Sequence, residues 1–265
     1  ITPATDILIE LAKHKSLGAR VFQAEDEIAG ICSAIGASFA GAMACTSTSG
    51  PGLSLKSEAI GLAVMTELPL VIVDVQRGGP STGLPTKTEQ SDLTQALFGR
   101  NGEAPCIVVA ASSSANCFYW AFEAARLSLE TMTPTILLTD GYLGNGSQLK
   151  KKKKMADLPK INPPFATPND PNYAPYNRDP ETLVRQWALP GMDGLRHRIG
   201  GLEKLSGKGS VSTDSANHEQ MVKFRKEKVE RVANRIPNQE VEGAESADLL
   251  VVGWGGTEGA LRCAV

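Results

Sequence analysis

The segment Leu68–Gln76, LPLVIVDVQ, is continuously apolar apart from its last few positions. A strand with one wet face alternates apolar and polar residues, whereas a strand covered on both faces does not need to. The rest of the first half follows the same logic. TDILIELAKH (5–14) reads as a helix with Ile7, Leu8 and Leu11 on one face, and ARVFQA (19–24) as a strand. EDEIAGICSAIGASFAG (25–41) is a helix rich in small residues, AMACTSTS (42–49) a strand, and LSLKSEAIGLAVMT (53–66) a helix behind the breaker GPG. After RGGPSTGLPTKTEQ (77–90) come a short helix at SDLTQALFG (91–99), strands at CIVVAA (106–111) and PTILLTD (134–140), and a helix between them near 113–130. Strands alternating with helices predict an α/β fold: a parallel sheet with helices on both faces.

Composition narrows the function classes. A chain of 265 residues, 42% hydrophobic, can bury a large core, as one large domain or about two smaller ones. A net charge of −2 and a pI near 6.0 give no global bias toward nucleic acid or an anionic membrane. The longest apolar runs are far shorter than a membrane span. Cys32, Cys45, Cys106, Cys117 and Cys263 form no C-x-x-C pair. Dispersed in mostly apolar segments, they suit reduced core thiols of a cytoplasmic protein and predict no metal site on this chain. No signal peptide opens the sequence, which starts without Met at ITPATD and stops at LRCAV, inside a predicted helix. That reads as a piece of something larger.

From about 145 the texture changes. QLKKKKKMADLPKINPPFATPNDPNYAPYNRDP (148–180) is rich in lysine and proline with little periodicity, and predicts an extended connecting segment. Its run Lys150–Lys154 reads as a solvated loop, with a docking patch for an acidic partner as the alternative. SANHEQMVKFRKEKVERVANR (215–235) is a helix, and ADLLVVGWGGTEGAL (247–261) reads as strand, glycine loop and helix. In GWGGTEG, Gly253 and Gly255 are followed by Glu258 where the dinucleotide fingerprint needs its third glycine, so a tight turn is the better reading. STSGPG (47–52) offers N–H groups at a helix start but lacks the G-K-[ST] of a P-loop. His14, His197 and His218 show neither metal nor triad spacing. Arg77 stands where the strand 68–76 ends, the edge at which ligands of α/β sheets gather, and a guanidinium there can grip a carboxylate. Glu25, Asp26 and Glu27 crowd a helix start, where acids complement the dipole; position alone assigns none of them chemistry.

Read together, ITPATD, QAEDEIAG, TSTSGPGLSLKSEAIGLAVMTELPLVIVDVQRGGPSTGLPTKTEQSDL and DGYLGNGS resemble the alpha subunit of 2-oxoacid:ferredoxin oxidoreductases, with the 2-oxoglutarate enzymes the nearest group. WALPGMDGLRHRIGGLEK and ADLLVVGWGGT fit the same subunit, so the resemblance covers nearly the whole chain; QLKKKKKMADLPKI departs from it. ITP resembles the end of the family's Tyr-Pro-Ile-Thr-Pro motif, whose first two residues this chain lacks.

The resemblance implies a pyruvate:ferredoxin oxidoreductase-like pyrimidine-binding domain at 1–146 and a connecting segment with one helix at 147–243. At 244–265 it implies the truncated start of a transketolase C-terminal-like domain. It implies thiamine diphosphate shared with a beta subunit, which carries the magnesium and an iron–sulfur cluster, and a gamma domain or subunit as a further component. Ferredoxin, a 2-oxoacid and coenzyme A complete the reaction, with neither nucleic acid nor membrane involved. Thr2 is then expected near the pyrimidine and the reacting carbon, and Arg77 and Thr86 at the 2-oxoacid. Glu27 is expected on the pyrimidine nitrogen in preference to Glu25, because it lies nine residues before Gly36. Thiamine serves such enzymes as an electron sink for the decarboxylating carbon. The alternatives are a pyruvate or branched-chain 2-oxoacid enzyme, or a non-catalytic nucleotide-binding or scaffold domain that the GWGGTEG loop would suit.

Overall fold

A computed structural model describes residues 1–151, 153–244 and 246–265. Its strands are β1 (Cys45–Thr48), β2 (Leu70–Gln76), β3 (Ile107–Ala110) and β4 (Pro134–Asp140). They form one parallel sheet in the order β1-β2-β4-β3. The helices are α1 (Thr5–Ala12), α2 (Glu27–Phe39), α3 (Gly50–Thr66), α4 (Leu93–Phe98), α5 (Ser114–Thr131), α6 (Gly141–Asn145), α7 (Ser215–Glu230) and α8 (Glu258–Ala264).

The strand order places the helices. β1 to β2 and β3 to β4 step across the sheet in opposite directions, so right-handed crossovers put their helices on opposite faces. The packing agrees. Leu70 and Ile72 of β2, with Ile136 and Leu138 of β4, pack with Leu53, Ile60 and Ala63 of α3 and with α2. Val71 and Leu137 pack instead with Ala124 and Leu127 of α5. Both faces of β2 are therefore covered, which is why its sequence does not alternate. By the same parity Asp74 and Gln76 lie on the α3 face, at the carboxyl end of the strand.

Two predicted strands do not form. ARVFQA (19–24) runs without ladder partners into α2, with Phe22 66% exposed. In LLVVG (249–253) Leu249, Leu250 and Val252 are exposed and unpaired with any described strand. Apolar, β-branched residues make a segment competent for a sheet, but a strand exists only where a neighbour supplies the ladder. Of the Lys150–Lys154 run, Lys152 lies outside the described residues. Lys150 and Lys153 lie over the rings of Phe118 and Tyr119 on α5, so their stems cover aromatic surface rather than stand fully in solvent.

The segment 147–213 is short of regular structure, as read, yet it is packed. Tyr176, Arg185 and Trp187 are almost fully buried, and Trp187 stacks on Phe165 at 5.0 Å between ring centres. Val184 and Trp187 join Leu129 and Met132 of the α5 end in one apolar cluster. Few aromatics spaced without period, held by isolated bridges such as Phe165–Trp187 and Tyr176–Gly207, carry no helix or strand signature.

Candidate active site

The carboxyl ends of β1, β2 and β4, and the loops that leave them, gather most of the predicted site residues. Arg77 follows β2 directly and is 5% exposed. Its Nη1 donates to the Thr2 carbonyl oxygen at 2.6 Å, a contact between residues 75 positions apart. Its Nε has no acceptor among the described residues. A β-carbon on Gly141 would stand 3.7 Å from Thr88 Oγ1 and 4.0 Å from Pro3 Cγ. The N-terminal ITP, the 77–90 loop and the start of α6 thus meet over the sheet edge.

The acidic trio separates as its helix begins. Asp26 is the N-cap of α2, its carboxylate accepting from the Ala29 N–H at 2.7 Å. Glu25 is exposed, and Glu27, the first residue of α2, is half-buried. The Glu27 side chain packs against the start of α3: a β-carbon on Gly52 would lie 2.7 Å from Glu27 Cγ and 2.0 Å from Thr48 Oγ1. Gly52 is glycine because nothing larger fits between them. Among the described residues the Glu27 carboxylate makes no hydrogen bond, so its acceptors remain free. Thr86 sits exposed in the 77–90 loop, and no side-chain hydrogen bond ties it to Arg77 among the described residues. The loop is closed below it by Gly78 N–H to Lys87 O (2.8 Å), Leu84 N–H to Gly78 O (2.9 Å) and Gly79 N–H to the Glu89 carboxylate (3.0 Å).

One residue beside Glu27 escaped the sequence reading. Lys56, 1% exposed, donates from Nζ to the Glu27 carbonyl at 2.8 Å. Burial pulls its ammonium below the ordinary lysine range, opposed by the nearby charges of Glu27 and Asp26. The signal was present: Leu53, Lys56, Ile60 and Ala63 fall on one helical stripe, so Lys56 interrupts the buried face of α3. The glycine loop of GWGGTEG also reaches this edge. Gln90 Nε2 donates to Trp254 O at 2.9 Å, and a β-carbon on Gly256 would lie 2.4 Å from Asp140 Oδ2. The close approach served by these glycines is to Gln90 and Asp140. His14 bonds Glu10, His197 bonds Leu195 O and the Tyr173 hydroxyl, and His218 bonds Glu203.

A half-buried glutamate packed on the start of α3 and a buried arginine tied to the N-terminal segment both lie at the carboxyl edge of the sheet, where ligands of α/β folds gather. Residues 1–214 match the family described as pyruvate flavodoxin/ferredoxin oxidoreductase, thiamine diphosphate-binding. The chain belongs to that family. It is 55% identical over 260 residues, 98% of its length, to the Mycobacterium tuberculosis protein named 2-oxoglutarate oxidoreductase subunit KorA, of which it covers 39%. It is 36% identical over its whole length to 2-oxoglutarate synthase subunit KorA of Methanothermobacter thermautotrophicus, covering 70% of that chain. Among solved structures it resembles the 2-oxoglutarate:ferredoxin oxidoreductase from Magnetococcus marinus, described with 2-oxoglutarate, coenzyme A and succinyl-CoA bound. That match has a TM-score of 0.95 and 40% identity over all of this chain and 46% of the other. Among the described residues no helix is long and apolar enough to cross a membrane, and no group of three His, Cys, Asp or Glu could hold a metal ion.

Proposed function

We propose that this chain is the pyrimidine-binding part of the alpha subunit of a 2-oxoglutarate:ferredoxin oxidoreductase, working in the cytoplasm with a beta subunit. The overall reaction converts a 2-oxoacid, coenzyme A and two oxidised ferredoxins to acyl-coenzyme A, carbon dioxide, a proton and two reduced ferredoxins. The observation that carries the reading is the placement of Glu27 at the carboxyl end of β1, and of Arg77 with Thr2 at that of the neighbouring β2, in a chain so similar to named 2-oxoglutarate enzymes. Those names favour 2-oxoglutarate over pyruvate or branched-chain substrates, and the family favours catalysis over a scaffold.

Thiamine diphosphate fits the residues present: the Glu27 carboxylate is without a partner among the described residues, and Gly52, having no side chain, lets Glu27 lie against the start of α3. When bound, the cofactor supplies an electron sink for the decarboxylating carbon. Glu27 would hold the pyrimidine by a hydrogen bond to its ring nitrogen and pass a proton there. Lys56 fixes the first turn of α2 from below through the Glu27 carbonyl. Arg77 would grip the 2-oxoacid carboxylate while Nη1 keeps Thr2 in place, and Thr86, in the same loop, would hold the keto end. The diphosphate, its magnesium ion and the iron–sulfur cluster belong on the beta subunit, with a gamma domain or subunit completing the assembly. The domain division at 146 and 243, with a second α/β domain opening at 244, belongs to the same proposal.

Two results test this reading. The 265-residue chain alone, given thiamine diphosphate and magnesium, is expected to decarboxylate no 2-oxoacid; any turnover without a partner refutes the shared site. In the reconstituted complex, Arg77→Ala is expected to cost about 1.5–3 kcal/mol for a charge-assisted hydrogen bond. That is a fall of roughly 10- to 150-fold in kcat/KM for the 2-oxoacid, with thiamine diphosphate affinity nearly kept. An unchanged kcat/KM would make Arg77 a purely structural ligand of Thr2.

A further inference from the structure

Asp74 is an acid near the carboxyl end of a strand buried on both faces. It is 0% exposed, and it lies between Thr48 of β1 and Leu138 of β4 in the ladder. Asp92, 7% exposed, precedes α4 at the far end of the loop that leaves β2 at Arg77. The Asp92 N–H donates to the side chain of Gln76, two residues on from Asp74 on the same face of β2, and this brings the two buried carboxyls together. If both were ionised, both oxygens of Asp74 and Oδ2 of Asp92 would be buried with no donor; one proton between them turns the contact into an O–H···O bond.

The surroundings say where that proton sits. The Asp92 carboxylate stands over the first residue of α3: a β-carbon on Gly50 would lie 2.5 Å from its Oδ1. The amino end of a 17-residue helix favours negative charge, so Asp92 is the acceptor and Asp74 the donor. Around the pair, Asp92 N–H donates to Gln76 Oε1 at 3.1 Å, and Gln76 Nε2 to Thr139 O at 3.0 Å. The base of the 77–91 loop is therefore tied twice to β2, once by the Gln76 amide and once by the acid pair.

We propose that Asp74 and Asp92 form a proton-sharing clasp which holds the two ends of the 77–91 loop together and so positions Arg77. The bearing on substrate rests on the reading of Arg77 above; the clasp itself does not. Burial first, then the charge of Asp92 and the bond to it, hold the Asp74 carboxyl well above the ordinary carboxylate range. Burial and the charge of Glu89 raise Asp92, and the bond from Asp74 lowers it. Among the described residues the other neighbours give no counter-ion: Thr48, Ser49, Gly50 and Thr139 carry no charge. Lys56 and Arg77 are committed to the carbonyls of Glu27 and Thr2. Loss of the shared proton leaves two carboxylates in contact away from water, and the loop base opens.

The test is hydrogen–deuterium exchange by mass spectrometry on the assembled enzyme between about pH 6 and pH 9, the upper part of the range in which buried carboxyls titrate. After correction for intrinsic exchange, protection of the 78–91 amides is expected to fall about tenfold per pH unit once the proton leaves, as linkage to one proton requires. Asp74→Asn, whose amide donates to Asp92 and cannot ionise, should keep protection and abolish the slope. Asp92→Ala should give low protection at every pH. PH-independent protection in the wild-type enzyme overturns the clasp even if neither variant folds, and so does a slope retained in Asp74→Asn. KM for the 2-oxoacid, measured over the same range, should rise as protection falls. If the loop opens with pH and KM stays flat, the clasp stands and the substrate role of Arg77 falls.

Discussion

Replacing Glu27 with Gln in the reconstituted complex is expected to slow deuterium exchange at the thiazolium C2 of thiamine diphosphate by about 10²-fold or more, the typical loss for a removed acid–base group. Glu25→Gln should leave it nearly unchanged. The difference follows from three adjacent positions. Glu25 is exposed before the helix, Asp26 spends its carboxylate on the Ala29 N–H, and Glu27 alone turns inward against the start of α3. Gln keeps the shape and the packing against Gly52 and Thr48, so cofactor affinity should change far less than the exchange rate. What Gln loses is the ability to take and return a proton. Slowed exchange in Glu25→Gln instead would shift the assignment by two residues, and no effect in either variant would remove the pyrimidine role from α2.

How much of this was open to inspection depends on how far a signal travels along the chain. The four strands that formed and the main helices between them were legible because hydrophobic period is local, and their parallel pairing follows from the alternation; the order β1-β2-β4-β3 does not. ARVFQA and LLVVG carried the same local signal without a neighbouring strand to pair with, and no local rule reports that absence. The start of α2 was legible to within two residues from the acids that crowd it, whereas the bond from Arg77 to the Thr2 carbonyl, 75 residues away, was not. Buried charge was the least visible part. Lys56 and Asp74 each break an apolar pattern, which marks them as unusual without naming their partners. Glu67, in TELPL just after the apolar stripe of α3, carries no local mark that tells a buried acid from a solvated one, and it is 2% exposed.

Glu67 carries the second large expectation, on stability. It ends α3 in the left-handed conformation (φ 49°), which costs a non-glycine residue about 1–2 kcal/mol. Its carboxylate bonds Arg178 through both oxygens, Oε2 also accepting from Lys228 Nζ at 2.7 Å. Arg185 donates to the carbonyls of Thr66 and Glu67, and Lys204 to that of Met65, so the last carbonyls of the helix are also met by cations. These contacts fasten the 176–185 segment and α7 to α3. Removing one partner of a buried ion pair leaves the others uncompensated, so Glu67→Gln is expected to lose about 3–5 kcal/mol. At the scale of a chain this long, that lowers the thermal midpoint by roughly 6–20 °C. The pH dependence has a definite sign. Burial alone would raise the Glu67 carboxyl, but Lys228 and Arg178 outweigh it and hold the group well below the ordinary range. Its stabilisation is therefore complete above about pH 4.5 and is lost as pH falls below that toward the folded-state value. The wild-type midpoint should drop across that acid window, and the difference between wild type and Glu67→Gln should shrink with it. Asp74 acts in the opposite sense, since a raised carboxyl gains stability as pH falls, so the comparison is made between the two proteins at each pH. A gap between wild type and Glu67→Gln that stays constant from about pH 7 to pH 3 would mean that the ion cluster contributes packing alone.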